Sequence, residues 1–205
     1  MTTPGPARGR WAIAALVAAN VAPLVGVLFL GWTIASVMLL AWAENVVVGL
    51  WNVVRLITVR AGLLVPFFML HYGIFMVGHG AFVLFLFVFS PFSGGIADLA
   101  ALRSMLLGLV LPVLLLVVSH GVSFFTHFLP RERHDTTPAD VMMAPYPRII
   151  ALHLTIIFAG FTVVLLGAPA FALVLLVLLK IVIDVALHRR EHREKRLSSP
   201  PGLAA

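Results

Sequence analysis

Apolar residues fall in six long runs separated by short polar breaks, at about Trp11–Leu30, Thr33–Ile57, Leu63–Phe89, Leu99–Phe128, Arg148–Leu166 and Pro169–His188. A helix of about 20 apolar residues crosses a bilayer, so each run predicts a membrane span. The breaks at Gly31-Trp32 and Gly167-Ala168 are so tight that the spans they join must be antiparallel neighbours. Ser90–Gly95, with Pro91 and Gly94-Gly95, forms a longer turn. The segment from Pro130 to Tyr146 carries Arg131, Glu132, Arg133, His134, Asp135, Pro138 and Asp140, and is expected to lie in water. The fold class is therefore an all-α, six-helix membrane bundle. Residues 1–10 form a short amino-terminal segment, 11–188 the transmembrane domain and 189–205 a basic tail.

Charge placement orients the bundle. Twelve of the fourteen basic residues fall at the termini or in the breaks after the second and fourth spans; Arg103 lies on the other side and Lys180 within the last span. The positive-inside rule then puts both termini in the cytoplasm. Arg8–Gly31 also reads like a signal peptide, whose cleavage would leave five spans; the length of the run and its immediate passage into the next span favour retention.

Composition removes several classes of function. The chain is 61% hydrophobic and 11% charged, with a mean hydropathy of +1.09 and a pI near 11.1. That basicity follows topology and does not imply nucleic-acid binding. With no cysteine, thiolate catalysis, iron–sulfur clusters and Cys-based zinc sites are excluded.

Polar residues inside spans are costly and need a reason. His71, His120 and His153 fall on three spans, each eight to ten residues from the predicted cytoplasmic end, or about 12–15 Å inside the boundary. Asn45, Asn52 and Arg55 share one face of the second span. Glu44 lies near mid-bilayer, as a functional carboxylate or as a protonated or Arg-paired group locking two helices. Tyr146 and Arg148 read as interfacial anchors. Gly73, Gly78 and Gly80 would admit a neighbouring backbone, and Pro66 leaves a carbonyl unpaired, allowing a kink. In the last span Lys180, Asp184, His188 and Glu191 form one stripe, on which Asp184 and His188 could share an ion or simply close a salt-bridged helix end.

One layer holding so many polar groups admits three chemistries. Zinc, or another divalent transition metal, would take His71, His120 and His153, with Asp184 and His188 as a further ligand or support. A metal-bound water could then hydrolyse a lipid-like substrate, with Glu44 as base and Asn52, Arg55, Ser119 and Ser123 contacting substrate. Haem b would instead take two facing histidines, His71 with His120 or with His153. A proton or ion path would use Glu44, the histidines and Asp184 as relays. A non-enzymatic haem or metal carrier, or an accessory subunit of a larger membrane complex, is the alternative to an enzyme.

Several motifs recur together: Trp42-Ala43-Glu44-Asn45 with Gly49 and Asn52; Pro66-Phe67-Phe68 before His71-Tyr72-Gly73; His79-Gly80; Ser119-His120-Gly121-Val122-Ser123-Phe124; Pro145-Tyr146 with Arg148 and His153; and Lys180 with Asp184 and His188. In this set the chain resembles a family of bacterial multi-pass membrane proteins catalogued as a domain of unknown function. The resemblance covers nearly the whole chain and implies a membrane fold of this size; it supplies no activity. The expected setting is the bacterial inner membrane, with lipid and other membrane subunits as expected partners. A fainter likeness is to the zinc hydrolases that include alkaline ceramidases and adiponectin-type receptors. It departs in helix count and in the paired-histidine motif of the last helix, and so is an analogy of chemistry. Cytochrome b561 proteins are similar only in helix count and abundance of histidine.

Overall fold

In a computed structural model, the described residues are 26, 29, 31–90, 96 and 98–166. The first predicted span, apart from residues 26 and 29, and the sixth, with Lys180, Asp184 and His188, lie outside them. Among the described residues the fold is all helical, without strands. Four stretches have the length and composition of membrane spans: Ile34–Thr58, Leu64–Val88, Leu99–Phe128 and Pro138–Phe161. They match the second to fifth predicted spans, with one shift at the start of the last.

Helix α1 (Ile34–Thr58) begins where Thr33 accepts a hydrogen bond from the Ser36 amide at 3.2 Å. It ends in a Schellman closure: the Ala61 amide donates to Leu56 O and the Arg60 amide to Ile57 O, both at 3.0 Å. That closure puts Arg60 in the left-handed region at φ 57°. Helix α2 (Leu64–Val83) runs on into a π turn, Leu84–Val88. Pro66 falls in its first turn, where amides have no intrahelical acceptor to lose, so no kink follows.

Asp98 caps α3 (Leu99–Ser123), accepting from the Ala101 amide at 2.7 Å, and this helix too ends in a π turn, Phe124–Phe128. A capping box then restarts the chain earlier than the sequence suggests. Thr137 and Asp140 exchange hydrogen bonds around Pro138 at the first helical position of α4 (Pro138–Met143). After a turn at Ala144-Pro145, α5 (Tyr146–Leu166) completes that span. The connection expected to stay in water until Tyr146 is thus helical from Pro138, and Arg148 sits ten positions into the segment rather than at its edge.

Helix α1 is the hub, packing against α2, α3, α4 and α5. Its register on α2 is antiparallel: Trp42 meets Met76 and Gly80, while Asn45 and Gly49 meet Tyr72. Its register on α3 is parallel: Trp51 meets Val117 and Gly121, and Arg55 meets Phe128. Between α1 and its neighbours α2 and α3, three aromatic rings lie where only glycine leaves room. A Cβ on Gly80 would come within 2.9 Å of the Trp42 ring, and one on Gly121 within 2.8 Å of Trp51. Gly49 is crowded likewise by Tyr72, whereas Gly73 and Gly78 face nothing within 4 Å. The close approach expected at three glycines of α2 therefore occurs at Gly80 alone, and against a ring rather than a backbone. Helix α3 buries only Leu109 and Gly121, leaving most of its apolar surface outward, as suits a lipid-facing span.

Candidate functional site

Three helices are joined pairwise by polar side chains, and these ties define the polar centre. Between α1 and α2, Trp42 Nε1–H donates to Met76 O at 2.8 Å and the Tyr72 hydroxyl donates to Asn45 O at 2.7 Å. Between α1 and α5, Arg148 Nη1 donates to Glu44 Oε1 at 3.1 Å. Between α2 and α5, the imidazoles of His79 and His153 meet, Nε2 to Nδ1, at 2.8 Å. The rings lie 5.0 Å apart, edge to face, beside Phe75. In an apolar surrounding such contacts are cohesive because an unmet polar group would face hydrocarbon.

Hydrogen-bond direction fixes the protons of the histidine pair. His79 Nδ1 lies 2.7 Å from Phe75 O, and a carbonyl only accepts, so this nitrogen carries its proton. In neutral His79, Nε2 is then a lone pair and accepts from His153 Nδ1–H. His153 Nε2 is then left as a lone pair. His79 is buried, with 7% of its surface exposed, while His153 is exposed.

The histidines expected at one depth lie at two. Trp42 marks the level of His79 and His153, since it lies against Met76 and Gly80 on either side of His79. Trp51 marks the level of His120, lying against Val117 and Gly121. The two tryptophans are nine positions apart on α1, or about 13 Å. His71 is likewise eight positions from His79 on α2, about 12 Å. Its ring stacks with Phe67 at 5.6 Å and with Tyr146 at 6.0 Å. His120 Nδ1 donates within its own helix to Leu116 O at 2.9 Å. The reason for the mismatch is the early start of α4: His153 is fifteen positions beyond Pro138, not in the second turn of a span.

No group of three or more His, Asp or Glu side chains among the described residues could hold a metal ion. His71, His120 and His153 therefore do not assemble the zinc centre expected of them, and the facing pairs proposed for haem b, His71 with His120 or His153, are not the pair that forms. Asp184 and His188, the other expected ligands, lie outside the described residues. Glu44 takes the Arg-paired role that the sequence left open. Ser119 and Ser123 are exposed on α3. Asn52 and Arg55 stay inside, at the carboxyl-terminal end of α1.

His79 is the residue that sequence reasoning left without a role beyond its place in the His79-Gly80 motif. Its signal was present in the spacing. His71 and His79 are eight apart on α2, Tyr146 and His153 seven apart on α5, and the two ladders pair in parallel register.

Four apolar stretches of spanning length are compatible with a lipid bilayer around them and are consistent with a membrane domain. The chain belongs to the family of unknown function DUF6498, which matches residues 2–201. No curated protein and no solved structure matches it.

Proposed function

We propose that this is a multi-pass protein of a bacterial inner membrane, with six spans and both termini in the cytoplasm, whose polar centre takes up and releases protons as part of a proton-coupled transport path. The observation that carries this reading is the His79–His153 hydrogen bond at 2.8 Å within two spans. Ionisable groups kept inside spans commonly serve relays. The order of the bonds assigns the roles. The proton on His79 Nδ1 ends on Phe75 O and goes no further, so His79 positions its partner and shares the added charge. His153 Nε2 exchanges the proton. The Glu44–Arg148 pair lies five positions away along α5, about 7–8 Å, a gap that one or two waters span.

The test uses the full-length protein in proteoliposomes enclosing a pH-sensitive dye, with an imposed pH gradient and a membrane potential. The wild-type protein dissipates the gradient faster than empty vesicles. His153→Phe abolishes the excess flux, His79→Phe reduces it, and His71→Phe leaves it intact. Equal fluxes from the wild type and His153→Phe would defeat the reading.

A further inference from the structure

Asn52 and Arg55 occupy one face of α1 at its carboxyl-terminal end, and both hold donors with nothing to donate to. Asn52 is 3% exposed. Its Nδ2, and Nε of Arg55, are buried and have no hydrogen-bond partner among the described residues. Buried donors are seldom left so, because each forgoes the bond that water gave it. The guanidinium of Arg55 rests 5.0 Å over the Phe128 ring, which fixes its plane in the π turn at the end of α3. Its surroundings carry both charges: Glu132 lies within electrostatic reach and attracts it more strongly than Arg148 of α5 repels it, yet Glu132 closes no ion pair with it. Arg148 itself uses a single nitrogen on Glu44, with half of its side-chain surface uncovered.

We infer that Asn52 and Arg55, reinforced by the charge of Arg148, bind an anion of the phosphate or carboxylate class at the carboxyl-terminal end of α1. An anion supplies the acceptor oxygens that the two orphaned donors lack, and its bond to the guanidinium is charge-assisted. A cationic ligand offers no acceptor, and a water or other neutral acceptor forms only the weaker bond, without charge on its own side. This site stands apart from the histidine pair, and binding there does not depend on that pair carrying protons.

Inorganic phosphate and acetate, titrated at constant ionic strength into the full-length protein in a phosphate-free detergent, test the site by calorimetry and by thermal unfolding. Saturable binding of either anion is expected in the wild type. Arg55→Gln weakens it by about tenfold or more, the loss of one charge-assisted bond. Asn52→Leu weakens it less, and Arg103→Gln, at the far end of α3, leaves it unchanged. Arg55→Lys keeps the charge but removes Nε, and gives an intermediate loss should Arg55→Gln not fold. A lipid source shows itself differently: phosphatidylglycerol in phosphatidylcholine nanodiscs stabilises the wild type but not Arg55→Lys, and free phosphate does not bind. The inference fails if neither probe nor phosphatidylglycerol binds saturably, or if the Asn52 and Arg55 variants bind as the wild type does.

Discussion

Arg148 and Glu44 form an ion pair between α5 and α1, with one guanidinium nitrogen 3.1 Å from one carboxylate oxygen. The pair is intermediate in kind: Arg148 is half uncovered, while Glu44 keeps only 22% of its side-chain surface exposed. Screening by solvent therefore falls between that of a surface pair and a buried one, and a coupling of about 1–2 kcal/mol is expected. Glu44→Leu alone takes the carboxylate from Arg148, and Arg148→Leu alone takes the guanidinium from Glu44. Either single change should cost more than half of what the double change Glu44→Leu/Arg148→Leu costs. A double-mutant cycle on unfolding in detergent measures the difference, and simple additivity would show that the contact contributes nothing.

The glycines of the packing interface separate into two sets with opposite responses. Gly80→Ala and Gly121→Ala place a Cβ against the rigid rings of Trp42 and Trp51, whose indole N–H groups are tied to Met76 O and Val117 O. Each ring must shift and its hydrogen bond weaken, for a net loss of about 1–3 kcal/mol. Gly73→Ala meets nothing and gains helix propensity, up to about 1 kcal/mol of stabilisation. Thermal unfolding of the three variants should move the midpoint down, down and up.

Arg60 closes α1 from the left-handed region at φ 57°, where a side chain costs about 1–2 kcal/mol relative to glycine. Arg60→Gly should relieve part of that, giving a gain of about 0.5–1 kcal/mol after the extra backbone entropy of glycine is counted. Arg60→Val, branched at Cβ, should lose stability instead. Both are read from unfolding midpoints against the wild type.

The second to fifth spans were legible because hydrophobic length alone specifies them; Leu99–Phe128 was placed to the residue. The site was only partly legible, for a physical reason that Thr137 makes plain. Its capping box with Asp140 starts a helix inside a stretch whose charges suggested water, and that start moves Arg148 and His153 deeper by ten positions. Depth arguments count from helix ends, so an error at one end displaces every residue on the span. Hence His153 meets His79 rather than the level of His71 and His120. The Glu44–Arg148 pair was half visible: an arginine partner was one of the roles open to Glu44, but which arginine supplies it depends on that same shift.

The parallel register of α1 on α3 makes a prediction about sidedness. Trp51 against Gly121 and Arg55 against Phe128 require both helices to end on one face of the membrane, with the start of α3 on the other. The turn at Arg60 and the loop at Arg133 then share a face, and Arg103, in the first turns of α3, lies opposite. The chain has no cysteine, so single substitutions report position without background. Arg60→Cys and Arg133→Cys should react with a membrane-impermeant maleimide in inside-out vesicles of the inner membrane, and Arg103→Cys only in right-side-out spheroplasts. The assignment of the first two to the cytoplasm rests on their share of the positive charge. Labelling of Arg60→Cys and Arg103→Cys from the same side would contradict the α1–α3 register itself. Reversal of all three together would contradict only the orientation.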